Sequence, residues 1–194
     1  MKRRLEPSDI MPTPDYVKIR AARRRELSEI KKRRRIEVGP FAMFAFEDWN
    51  TMWYQVQEML YIEKGGAEQA LEEIAAYNPL IPQGRELVAT VMFQIDDEVA
   101  RKATLGRLGG VEATAFLSFA DAKVLGVPEA DMDRTTAEGK ASSVQFIHFP
   151  FTSEQIAAFR APGTQVIVGF THPNYGHMAV MSESVRATLA EDFG

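Results

Sequence analysis

Apolar residues recur along this chain at two spacings, and the spacings divide it into helices and strands. Tyr16, Ile19, Leu27 and Ile30 lie at helical intervals and predict a helix over residues 14–34, one narrow apolar stripe on a charged surface. Thr13 is the expected N-cap, with Pro14 at the first helical position. Met52, Val56, Met59 and Leu60 predict a helix over 51–64, opened by Asp48 or Asn50. Leu71 and Ile74 predict another over 67–77. A short helix is expected after Asp96, a second after Thr152, whose pairing with Gln155 reads as a capping box, and a last one after Ser182.

Alternation of apolar and polar residues predicts strands over 36–46 with a break at Gly39-Pro40, and over 86–95, 111–119, 123–127, 142–149, 165–170 and 178–181. On the strand 142–149, Val144, Phe146 and His148 are expected to share the core-facing side. Too little chain separates the late strands for repeated long crossovers. The expected fold is therefore α+β, a largely antiparallel sheet with helices packed on one face and a basic N-terminal helix. Residues 1–13 are expected to form an extended arm, and 14–194 a single domain, with a polar loop over 128–140.

Composition narrows the chemistry. Hydrophobic residues make up 45% of the 194, enough to bury a core without covalent staples. Cysteine is absent, which excludes a disulfide framework, a thiolate nucleophile and a cysteine-held zinc or Fe–S centre. Its absence fits a reducing, cytoplasmic setting. Met1-Lys2-Arg3-Arg4 leads into no apolar stretch, so no secretory leader is expected, and no window has the length of a membrane span.

Charge is unevenly placed. Residues 1–36 hold 13 Lys/Arg against 5 Asp/Glu, a net +8, and the rest holds 10 against 22, a net −12. Arg23, Arg24 and Arg25, then Lys31, Lys32, Arg33, Arg34 and Arg35, are the candidate partner-binding residues. They suit an acidic protein surface, including that of a second subunit in a homodimer, or a solvated helix face paired with the chain's own acidic body. Nucleic acid is the less favoured partner, because the body is acidic and no nucleic-acid motif accompanies the cluster.

Candidate chemistry is sparse. His172 and His177 flank the short loop Pro173-Asn174-Tyr175-Gly176 and, with His148, are the candidate ligands for a divalent metal, Fe, Zn or Mn. The alternative is a structural His172 and an exposed His177. Gln55 and Glu58 are three apart on one helix face, beside Tyr54 and Tyr61. Glu58, His172 and Tyr175 would be acid–base groups if one pocket joined them. No His-Glu-x-x-His, phosphate-binding loop or Gly-x-Ser-x-Gly turn is present, and Gly106-Arg107-Leu108-Gly109-Gly110 lacks the residues that would make it a nucleotide motif.

One resemblance covers nearly the whole chain. The run from Lys32 to Pro40, then Phe46-Glu47, Gln55-Val56-Gln57-Glu58-Met59-Leu60, Tyr77-Asn78-Pro79-Leu80-Ile81-Pro82, Glu86-Leu87, Ser143-Val144-Gln145-Phe146 and His172-Pro173-Asn174-Tyr175 resembles a bacterial family, domain of unknown function 3501. The resemblance implies genes set beside a rubrerythrin-like protein and an Fe–S oxidoreductase, hence an accessory role in peroxide, iron or electron-transfer metabolism. It brings no catalytic residue with it. The matched polar positions Glu47, Gln55, Glu58, Glu86, His172, Asn174 and Tyr175 are the candidate ligand-binding and catalytic residues.

Overall fold

A computed structural model describes residues 2–129, 135–136 and 139–194. In chain order the elements are α1 (Thr13–Lys32), β1 (Arg35–Val38), β2 (Ala42–Phe46), α2 (Trp49–Glu63), α3 (Ala67–Tyr77), β3 (Glu86–Phe93), α4 (Glu98–Leu105), β4 (Ala115–Phe119), β5 (Ala122–Leu125), β6 (Val127–Pro128), β7 (Val144–Pro150), α5 (Ser153–Arg160), β8 (Val166–Phe170), β9 (Met178–Val180) and α6 (Glu183–Ala190). The fold is α+β with antiparallel pairing throughout these strands. Where one sheet was expected there are two, ordered β1-β2-β3-β7-β6 and β5-β4-β8-β9.

Gly126 explains the division. The predicted strand 123–127 breaks there, so that β5 pairs with β4 and β6 with β7. A Cβ at Gly126 would lie 2.6 Å from Ile147 Cγ2 and 3.2 Å from the Ala115 carbonyl oxygen, a space closed to any side chain. Both sheets thus share one bent strand at a corner, and their inner faces enclose a common core.

That core alternates as a two-layer interior should. Leu87, Ala89, Val91 and Phe93 of β3 and Ile147 and Phe149 of β7 face Leu117 and Phe119 of β4 and Val166, Val168 and Phe170 of β8. Phe44 and Phe170 meet across it with ring centroids 5.1 Å apart. Phe159 of α5 and Phe193 after α6 cap one end, packed on Phe119 and Phe151. Truncating one of these rings would cost about 3–5 kcal/mol.

The outer face of the first sheet carries α1, α2 and α3. Tyr16, Met52, Trp53, Val56, Leu60 and Ile74 form a second apolar cluster on Val88 of β3. The residues before α1 join it. Leu5 is fully buried, its N–H donating to Asn78 Oδ1 at 2.7 Å, and Pro7–Asp9 make a 3₁₀ turn.

Some boundaries move for local reasons. Helix α1 stops at Lys32, because the Arg34 carbonyl accepts from Phe46 N–H and starts the sheet. Val111–Thr114 is a 3₁₀ turn, opened by Gly110 at φ +79° and closed by Thr114 Oγ1 donating to the Val111 carbonyl. Asp97, not Asp96, caps α4. On β7 the expected facing is reversed: Gln145, Ile147 and Phe149 point inward, whereas Phe146 and His148 lie on the outer side. Of the polar loop 128–140, residues 130–134 and 137–138 lie outside the described residues. Among the described residues no helix is long and apolar enough to cross a membrane.

Candidate functional site

Helix α1 sorts its charges by direction. Counting about 100° per residue from the buried Tyr16, Arg24, Arg25, Lys31 and Lys32 fall on one flank, about 60–180° away, while Asp15, Glu26 and Glu29 fall on the other, about 220–280° away. Several cations are engaged within the chain. Arg23 pairs with Glu26 at 2.7 Å and lies over the Trp53 ring; Lys32 pairs with Glu29 at 2.7 Å. Lys31 is half-buried, and burial pulls its ammonium below the ordinary lysine value. Lys31 and Lys32 also sit in the last turn, where positive charge offsets the helix dipole. Arg24, Arg25, Arg33 and Arg35 are exposed, and among the described residues they make no ion pair.

Arg34 must be taken out of the candidate partner surface. Only 2% of it is exposed. Its Nε donates to the Phe46 carbonyl at 2.9 Å, its Nη2 to the Glu47 carbonyl at 2.9 Å, and both terminal nitrogens to Asp192. Asp48 Oδ2 lies 3.8 Å away. Burial pushes the Asp192 carboxyl up to about 6, even with Arg34 beside it.

Glu58 is likewise committed to the fold. Arg20 grips its two carboxylate oxygens from Nε and Nη2, both at 2.8 Å, and Tyr16 donates its hydroxyl at 2.6 Å. The hydrogen bonds from Arg20 lead in holding the Glu58 carboxyl below its ordinary value. This bidentate pair ties α1 to α2 and fixes which face of α1 looks outward. Arg20 was not among the expected site residues, although its place on the Tyr16 stripe, four residues on, was a signal for it.

The loop after β8 is a structural corner. Asn174 N–H donates to His172 Nδ1 at 3.2 Å, which leaves Nε2 to donate to the Gly109 carbonyl at 3.2 Å. Asn174 Nδ2 donates to the Arg107 carbonyl at 2.8 Å. Tyr175 points into the core between the sheets, where its oxygen accepts from Phe41 and Ala42 N–H and donates to the Val38 carbonyl, at 2.8–2.9 Å. Burial raises its phenol above the ordinary value. His177 is exposed, its ring edge-on to Tyr175 at 4.6 Å.

The expected acid–base trio therefore does not converge. Tyr175 belongs to the core between the sheets, His172 to the loop beside Gly109, and Glu58 to the helices on the opposite face of the first sheet. The expected metal set fares likewise. Among the described residues no group of three or more His, Asp or Glu side chains is placed to hold a metal ion. Glu47 accepts from Thr90 Oγ1 at 2.6 Å, and Gln55 donates to the Tyr77 hydroxyl at 3.4 Å.

His148 finds a different setting. Its Nδ1 lies 3.0 Å from Glu86 Oε2 and its Nε2 2.6 Å from Glu129 Oε2. Two carboxylates, Glu86 foremost, outweigh burial and raise the imidazole above its ordinary value. With both nitrogens protonated the ring is a cation clamped between anions, tying β3 and β7 to the chain after β6. Glu129 gave no sequence signal, since it follows a two-residue strand.

Comparison with known proteins agrees on kinship. The family model described as "Protein of unknown function (DUF3501)" matches residues 4–193. A crystal structure of a novel protein of unknown function from Burkholderia pseudomallei K96243 superposes with a TM-score of 0.91 at 33% identity, over 98% of this chain and 99% of that one. No curated protein matches the chain.

Proposed function

This chain belongs to the family described as "Protein of unknown function (DUF3501)", and from that membership we propose that it is a cytoplasmic accessory factor that docks on an acidic protein surface through α1 and the start of β1. What sets this surface apart is that Arg24, Arg25, Arg33 and Arg35 are exposed and make no ion pair among the described residues, when Arg20 and Arg34 are spent on Glu58 and Asp192. Exposed cations of one sign steer an oppositely charged partner and select against a like-charged one. The family resemblance adds a redox setting, so a rubrerythrin-like protein or an Fe–S oxidoreductase is the partner to test first.

The test compares the full chain with a variant carrying Arg24→Gln, Arg25→Gln, Arg33→Gln and Arg35→Gln. The purified redox protein should bind the unmodified chain at low salt, release it by about 0.3 M, where screening shortens charge attraction to a few ångströms, and bind the variant at least about tenfold more weakly. Equal binding by the two chains overturns the docking surface. Tighter retention of duplex DNA than of protein assigns the surface to nucleic acid. A self-association that the variant abolishes makes a second copy the partner.

A further inference from the structure

A second concentration of positive charge lies apart from α1 and is concave. Arg3, Arg85 and Arg160 line one pocket of about 500 Å³, together with Gln83, Ser153 and Ile156. The three arginines come from the segment before α1, the residue preceding β3 and the last residue of α5, so only the folded chain assembles them. Among the described residues none of the three makes an ion pair, although Gly194 lines the same pocket. We propose that this pocket binds a small organic phosphate.

The guanidiniums are held in place by neutral groups. Arg3 Nη1 donates to the carbonyls of Pro82 and Asp192, at 3.2 and 3.1 Å. Arg160 donates from Nε and Nη2 to the carbonyls of Ala190 and Phe193, at 3.3 and 2.9 Å. Arg85 Nη2 donates to Ser153 Oγ at 3.0 Å. Each keeps at least one nitrogen that makes no hydrogen bond within the described residues: Nε and Nη2 of Arg3, Nε and Nη1 of Arg85, Nη1 of Arg160. Gly84 adds to the fit. A Cβ there would lie 2.5 Å from Arg3 Cζ, so its bare backbone gives the guanidinium its seat.

The chemistry of the ligand follows from this donor set. Guanidiniums from three separate segments line one space, and a phosphate monoester offers them three terminal oxygens where a carboxylate offers two. Positions fixed in advance lower the ordering cost of binding. The volume exceeds that of phosphate alone, and Ile156 and Ala157 supply apolar wall for a carbon skeleton attached to it. The site is independent of the α1 docking surface, and either stands without the other.

Calorimetric titration of the full chain with glycerol 3-phosphate and with succinate, at about 0.15 M salt, tests it. Glycerol 3-phosphate is expected to saturate with a Kd below about 1 mM. Arg85→Gln should weaken it about tenfold, and Lys102→Gln on α4 should leave it unchanged. Arg85 contacts only Ser153 in this way and is exposed, so a melting curve matching the parent is expected of that variant. Absence of saturable binding, binding undiminished in Arg85→Gln, or succinate binding as tightly as the phosphate would each overturn the proposal.

Discussion

Arg34 and Asp192 stand 158 residues apart in sequence and form a buried fork, with Arg34 Nη1 donating to Asp192 Oδ1 at 3.2 Å and Nη2 donating to Oδ2. The carboxylate is fully buried. The pair joins the start of β1 and the exit of β2 to the segment after α6, so it holds together parts of the fold that no strand pairing connects.

Removing one member strands the other. Arg34→Met should lower unfolding stability by about 3–5 kcal/mol, measured by urea denaturation at neutral pH, because the Asp192 charge stays buried without its counter-ion. Arg34→Met combined with Asp192→Leu should recover much of that loss. The pH dependence has a definite sign. The folded-state value of Asp192, about 6, lies above the unfolded 3.8. Its contribution is thus full below 3.8 and is lost as pH rises through about 6. Asp192→Asn should erase that slope.

His148 should behave in the same direction at higher pH. Its folded value is raised, first by Glu86, above the ordinary 6.5. The stabilisation is therefore complete below 6.5 and disappears as pH rises through the folded value. Imidazole NMR signals should titrate above 6.5, and His148→Gln should remove the alkaline loss of stability. A His148 that titrates at or below 6.5 would contradict the clamp.

Tyr175→Phe isolates a single oxygen. It leaves the N–H groups of Phe41 and Ala42 and the Val38 carbonyl without their partner at the β1–β2 turn. The expected cost is about 1–3 kcal/mol, together with faster amide exchange at Phe41 and Ala42. Unchanged exchange there would show that the hydroxyl does not hold the turn.

Local chemistry was the most legible part of the sequence. Asp48 caps α2 and accepts from Thr51 N–H; Thr152 and Gln155 form their box; Ser182 caps α6; the hairpin turns at Gly39-Pro40. Each of these depends on residues within a few positions. The facing of β7 was not legible, because helices cover the outer side of its sheet and both Phe146 and Phe149 find apolar neighbours. Arg34 was hidden within a run of five cations, where composition gives charge but not direction. Glu58, His172 and Tyr175 looked alike as polar groups, and only the long-range partners Arg20, Gly109 and Val38 separate their roles.

The pairing of early and late residues also bears on how the fold closes. Arg3 reaches the Asp192 carbonyl, Gly84 accepts from Gly194 N–H, and Arg34 waits for the Asp192 carboxylate. Contacts of such sequence separation slow folding, since a long loop must close before they form. Without residues 192–194 the Arg34 guanidinium would lose its bidentate partner at the root of β1, and the phenylalanine core would lose the ring that covers one end. Closure of the fold at that corner therefore rests on the seating of residues 192–194 against partners met far earlier in the chain.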